Sequence, residues 1–195
     1  MSREPRGLQR LTHWRMTLAR LLLCGLLALP AAVQPQESID PRLQIGINLL
    51  PAIVAANKAV ISSPADSVLP IYLVYDGNRH LAEQLQTRLD QLDGIRDRPV
   101  STSALSLDSL LESDIGSNAS VFIVEPLDER LDDLIQFSRA QRALLFSPFQ
   151  GDVENGVNSG FQVTDKVLPM VNMESLKQSK IQLKAFFLRI AVKYE

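Results

Sequence analysis

Beyond residue 32 the chain has one histidine, His80, and no cysteine. Nucleophilic catalysis of the hydrolase type needs a Ser or Cys beside a histidine base that an acid orients. His80 stands in Asp76-Gly77-Asn78-Arg79-His80, directly after an apolar run. In an open α/β sheet the loops leaving the strands present ligands. Asp76, Asn78, Arg79 and His80 are therefore the candidate ligand loop, and the bland alternative is a strand-to-helix turn with Asn78 as cap and His80 on the surface. Asp128, Glu129, Asp132 and Asp133 form an acidic cluster, but helical spacing suits a solvated face better than paired catalytic carboxylates. A metal site of the His/Cys type is excluded by count. No Gly-x-Gly-x-x-Gly or Gly-Lys-Ser/Thr cradle for phosphate occurs. Asn118-Ala119-Ser120 matches a glycosylation triplet but carries no weight beside a bacterial-style signal. No catalytic residue, cofactor or metal is expected, and the chain reads as a non-enzyme.

The second candidate region is Phe146-Ser147-Pro148-Phe149-Gln150-Gly151-Asp152, which leaves an apolar run and enters a Gly/Asn-rich loop from Asp152 to Ser159. Phe149 either packs beneath this loop or offers an apolar contact to a partner. Phe149, Gln150, Asp152 and Asn155 are the candidate partner-binding residues. As a loop residue, Phe149 is expected to tolerate Asp with little change in melting temperature.

Composition bounds the rest. The 195 residues are 46% hydrophobic and 22% charged, with a net charge of -2. Such a balance is globular and offers no basic excess for nucleic acid. The first 32 residues stand apart. Arg3, Arg6, Arg10, Arg15 and Arg20 face only Glu4, and an apolar run from Leu21 ends at Pro30-Ala31-Ala32. A basic start, a short apolar core and small residues make a signal peptide, because a spanning helix needs about 20 apolar residues. An uncleaved anchor is the alternative. Residues 33–40 are a polar leader and 41–195 a single domain, placed in the periplasm. Residues 33–195 carry 15 basic and 21 acidic side chains. Without cysteine, that domain must be held by core burial alone.

The elements follow from apolar spacing. Asp40-Pro41 caps a helix running to about Asn57, with Pro51 inside it. Leu69–Tyr75, Ala119–Val124 and Ala143–Phe146 are continuous apolar runs, hence buried strands, and Pro99–Ala104 is a weaker one. Leu81, Leu85, Leu89 and Leu92 mark a helix between the first two strands. Leu107, Leu110 and Leu111 suggest a short helix, and Pro126 opens another through Leu127, Leu131, Leu134 and Ile135. Alternating strands and helices specify a three-layer, Rossmann-like α/β fold with a mainly parallel sheet. Gly160–Thr164 and Lys166–Val171 read as an antiparallel hairpin at the sheet edge. Leu183, Phe186, Phe187, Ile190, Ala191 and Tyr194 recur at helical spacing and predict one closing helix, with Phe186, Phe187 and Ile190 against the sheet.

The C-terminal third resembles the YfiR-like periplasmic regulators. Gly156-Val157-Asn158-Ser159-Gly160-Phe161 is similar to that family's loop and strand start, Met170-Val171-Asn172-Met173 to its Ile-Asn-Leu step, and Phe187-Leu188-Arg189-Ile190-Ala191 to its closing helix. Ser120-Val121-Phe122-Ile123 stands where the family has Cys-x-x-Phe-Ile. The family's Phe-x-x-Trp-Pro signature is absent and so are its cysteines, which removes any disulfide control from this chain. The resemblance implies a protein that tunes a membrane-bound diguanylate cyclase or sensor kinase, hence c-di-GMP signalling, by contact with the partner's periplasmic region. A homodimer is compatible with it. The competing class is a small periplasmic solute-binding protein.

Overall fold

A computed structural model describes residues 39–195 except Ala65. The signal segment and residues 33–38 of the leader lie outside the described residues. Ile39–Glu195 is one compact unit. Asp40 caps the first helix, its carboxylate accepting the Arg42 N–H at 2.7 Å, and α1 (Pro41–Ala56) runs through Pro51. It is followed by α2 (Lys58–Ser62), β1 (Leu69–Tyr75), α3 (Arg79–Leu89), β2 (Val100–Ser106), α4 (Leu107–Leu111) and β3 (Ser120–Ile123). A 3-10 turn at Asp128–Arg130 leads into α5 (Leu131–Gln141), so Pro126 lies ahead of the helix by one turn. The chain then forms β4 (Leu144–Phe146), β5 (Ser159–Val163), β6 (Val167–Asn172), α6 (Met173–Gln178), α7 (Ala185–Ile190) and β7 (Val192–Tyr194).

The seven strands lie in the order β2-β1-β3-β4-β5-β6-β7. All neighbours are parallel except β5 and β6. The fold is the α/β, mainly parallel, helix-covered architecture that the apolar runs specify. Strand alternation divides each run between two cores. Ile71, Leu73, Phe122, Leu144 and Phe146 face α1 and α3, while Val74, Val121, Ile123 and Leu145 face α4 and α5. Phe122 and Phe146 stack with centroids 5.5 Å apart. Gly46 lets α1 lie on this pair, since a Cβ there would meet the Phe122 ring at 3.2 Å and Pro148 at 3.0 Å. The polar edge strand β2 is tied by one side chain of α3. Gln86 donates to the Thr102 carbonyl and accepts from the Ala104 N–H, both at 3.1 Å. This partly satisfies an otherwise open edge.

The C-terminal end departs from expectation. The hairpin is not at the edge, because β7 pairs with β6 from Met170↔Val192 onward. Pro169 sits one residue outside that pairing, where its missing N–H costs no ladder bond to β7. The single closing helix over 183–194 is instead one six-residue helix, α7, and an edge strand, and a further six-residue helix that the apolar spacing did not predict, α6, precedes them. Phe187 is buried as expected at 3% exposure, but Phe186 and Ile190 point outward at 47% and 58%. Ala191 turns extended, and the β-prone residues Val192 and Tyr194 take the free edge of β6 rather than a further helical turn.

Candidate functional site

The strand order reverses between β1 and β3, because the chain passes from β1 to β2 on one side and returns to β3 on the other. Loops at the carboxyl ends of these two strands define the place where such sheets bind ligands. Asp76, Asn78, Arg79 and His80 do lie there, all exposed. Asn78 caps α3, its side-chain oxygen accepting the Leu81 N–H at 3.1 Å. The His80 ring meets only the Gln84 amide, at 2.9 Å, within its own helix. Among the described residues no serine or carboxylate hydrogen-bonds to it, and the turn-and-cap alternative describes these residues.

The residue that organises this crevice is Glu125, which carries no sequence signal beyond following a buried strand. Its Oε1 accepts the backbone N–H groups of Asp76, Gly77 and Asn78 at 2.7, 2.7 and 2.8 Å. Three convergent amides form an anion cradle, here filled by the chain's own carboxylate. Partial burial pushes the Glu125 pKa upward, but the three donors outweigh it and hold the group below the usual carboxylate range. Arg130 closes the same crevice, with Nη1 2.6 Å from Asp76 and Nη2 2.5 Å from Asp108. The loops after β1, β2 and β3 are thus clasped together by ionic contacts. An incoming anion would have to displace Glu125. Asp128, Glu129, Asp132 and Asp133 are all exposed, as a solvated face requires.

The second region is more ordered than a Gly/Asn-rich loop suggests. Ser147 is buried, donates to Asp152 Oδ2 at 2.5 Å and accepts the Phe149 N–H at 3.1 Å. Asn158 is 2% exposed and spends its whole amide inside the fold. Its oxygen accepts the Leu145 N–H at 2.9 Å, and its nitrogen donates to Ser175 and Ser179 at 2.9 and 3.0 Å. Gly160 is required next to it, since a Cβ would lie 2.6 Å from the Ser147 carbonyl oxygen. Asn172 caps α6 through the Ser175 N–H and donates to the Val153 carbonyl, both at 2.8 Å. This buried polar network is what sequence reasoning missed.

Of the four candidate partner residues, Gln150 and Asn155 are exposed, while Phe149 and Asp152 are half-buried. Phe149 packs against both cores, so the packing alternative describes it. Consequently Phe149→Asp cannot be the silent surface change that its loop position suggested, because a charge would replace core contacts. Phe149 and Gln150 line a shallow cavity of about 120 Å³ with Arg42, Glu154, Phe161 and Val163. Arg42 lies 5.7 Å over the Phe161 ring and donates to the Pro148 carbonyl at 3.0 Å.

Burial raises the Asp152 pKa, the Ser147 hydroxyl opposes this, and the negative charges of Glu154 and Asp128 add to it. A carboxylic acid raised in the folded state contributes stability at low pH and loses it as pH rises through the folded pKa. Asp152→Asn keeps an acceptor for Ser147 without the charge. It is expected to melt above the wild type at about pH 7, the difference shrinking towards about pH 3, where both side chains are neutral. Melting curves across that range check this, and a constant difference would refute the assignment.

No family model matches the chain, and no curated protein matches it. Its fold is similar to that of a conserved domain protein from Vibrio cholerae O1 biovar eltor, at TM-score 0.52 and 12% identity, covering 80% of this chain and 60% of that one. A lower likeness, TM-score 0.49 at 10% identity, is to the ABC domain in complex with L-Trp from Streptococcus pneumonia, covering 78% of this chain and 60% of that one. This chain therefore spans about 60% of the length of either neighbour. The first likeness identifies the fold as one also found in a larger bacterial protein, and goes no further.

Proposed function

We propose that this chain is a non-enzymatic, exported regulator that tunes a membrane-bound signalling protein, a diguanylate cyclase or sensor kinase, by direct contact on the periplasmic side. The observation that carries the reading is the apolar tip of the β5–β6 hairpin. Val163 and Val167 face each other across the strands and are 46% and 39% exposed. The hairpin runs past the end of β4, which pairs with β5 only at Phe146↔Ser159. Val163 borders the same surface as Gln150 and Glu154. An exposed apolar pair rimmed by polar side chains has the character of a contact centre. The clasped switch-point crevice, in which Glu125 fills the cradle, also favours contact over small-molecule chemistry. The YfiR-like pattern supports the same reading, since its Gly160-Phe161 segment lies in β5 and its Met170–Met173 segment runs from β6 into the start of α6.

Val163→Asp should leave the melting temperature within a few degrees, the residue being exposed. It should weaken capture of the periplasmic region of the proposed membrane-bound partner, to be sought among the products of adjoining genes, about tenfold or more, which corresponds to about 1.4 kcal/mol. Equal capture by wild type and variant would move the interface elsewhere. The solute-binding reading has one observation behind it, the cavity beside Arg42 and Phe161. At about 120 Å³ that cavity is smaller than the roughly 300–1,000 Å³ of ordinary ligand sites. A thermal-shift screen separates the two: strong stabilisation by a small solute, with no partner captured, would replace the regulator reading.

A further inference from the structure

The charges of this protein are segregated along the chain, and the basic segment ends on the edge strand of the sheet. Residues 177–195 carry Lys177, Lys180, Lys184, Arg189 and Lys193 against Glu195, a net +4, whereas residues 33–176 carry 10 basic and 20 acidic side chains. The basic segment ends in α7 and β7, and β7 is the terminal strand of the sheet. On α7, Phe186, Arg189 and Ile190 share one face by their i, i+3, i+4 spacing, and that face points to solvent. Phe186, Ile190 and Tyr194 are 47%, 58% and 40% exposed. Lys184 Nζ sits 6.0 Å over the Phe186 ring. Among the described residues, Lys180, Arg189 and Lys193 enter no salt bridge, while Lys177 reaches Glu174 at 3.5 Å.

We propose that this edge is a peripheral membrane-docking surface that recognises anionic phospholipid headgroups. Cations interleaved with exposed rings and aliphatic chains match the interfacial region of a bilayer, where headgroup charge and acyl chains lie within a few ångströms of each other. A second copy fits poorly, because two such edges would bring together Lys180, Lys184, Arg189 and Lys193 of each chain, eight cations against the two Glu195 carboxylates. The acidic remainder of the molecule would be repelled by the same headgroups, which orients the protein with this edge towards the lipid. The proposal is independent of the regulatory reading and of the hairpin tip.

The test is amide hydrogen exchange of the full chain on vesicles, read at residues 185–195. This local readout is needed because the first 32 residues hold five arginines and an apolar run that can bind vesicles themselves. On phosphatidylcholine vesicles containing about one-third phosphatidylglycerol, exchange in 185–195 should slow several-fold. It should not slow on phosphatidylcholine alone, and about 0.5 M salt should reverse the effect. Lys184→Glu with Arg189→Glu and Lys193→Glu should abolish it, and Phe186→Ser alone should weaken it in a protein whose melting temperature is unchanged. Unchanged exchange in 185–195 while the chain sediments with anionic vesicles would overturn the proposal. So would protection that grows with protein concentration in the absence of lipid, which would assign the face to a second copy.

Discussion

Phe187→Ala is expected to destabilise the protein by about 3–5 kcal/mol, whereas Phe186→Ala is expected to cost less than about 1 kcal/mol. The two residues are adjacent on α7 and identical in chemistry, so the contrast isolates burial. Phe187 is 3% exposed and belongs to the core cluster with Leu176, Ile181 and Leu183, while Phe186 is 47% exposed. Removing the inner ring loses its transfer free energy and leaves a cavity that these neighbours close only in part. Urea unfolding of both variants measures the pair. Equal losses would mean that α7 lies differently on the sheet, and would also remove Phe186 from the surface proposed to meet lipid.

Asn158→Ala should cost about 2–4 kcal/mol, although the residue lies in a segment rich in Gly and Asn. Three partners lose their bond at once: the Leu145 N–H on β4 and the hydroxyls of Ser175 and Ser179 beyond β6. Ser175 and Ser179 are 2% and 0% exposed, so water cannot replace the amide without opening the fold. A backbone donor left unpaired in a buried strand is the largest of these losses. Ser179→Ala removes one partner of the amide and should cost only about 1 kcal/mol. A loss near that smaller value for Asn158→Ala would show that the site admits water. The same amide couples the loop after β4 to the end of β6 and α6. The Asn158 variant should therefore speed hydrogen exchange in residues 151–157 before the rest of the sheet opens.

The Asn158 network bears on the proposed function. The hairpin tip at Val163 and Val167 stands on β5 and β6, and those strands are held to the body by Asn158, Asn172 and Gly160. The contact surface proposed at that tip would thus stand on a base held by buried hydrogen bonds, although the intervening sequence reads as flexible. The Ser147–Asp152 hydrogen bond adds a pH-sensitive element to that base, which is why Asp152→Asn serves as a second probe of the region.

The central sheet was legible in the sequence because a strand buried on both faces must be apolar at successive positions. Leu69–Tyr75, Ala119–Val124 and Ala143–Phe146 have no other compact use. Two helix starts were legible from a local cap, at Asp40 and Asn78, since such a bond spans two or three residues, whereas the equally local caps of Asn57 and Asn172 stand beside short helices without an apolar repeat to announce them. What only the tertiary structure decided has a common cause, namely partners distant in sequence. The spacing of Leu183, Phe186, Phe187, Ile190, Ala191 and Tyr194 satisfies a helical repeat. The unpaired edge of β6 offered backbone bonds to residues 192–194, and these outweighed further helical turns. Glu125 looks like any acid after a strand until β1 and β3 lie side by side and bring Asp76, Gly77 and Asn78 to it across 47 to 49 positions. Asn158 reads as loop composition until β4 and α6 enclose it. Periodicity reports which face of an element is apolar. It carries no information about which polar groups meet once the faces have packed, and in this protein those meetings set both the crevice at the switch point and the base of the hairpin.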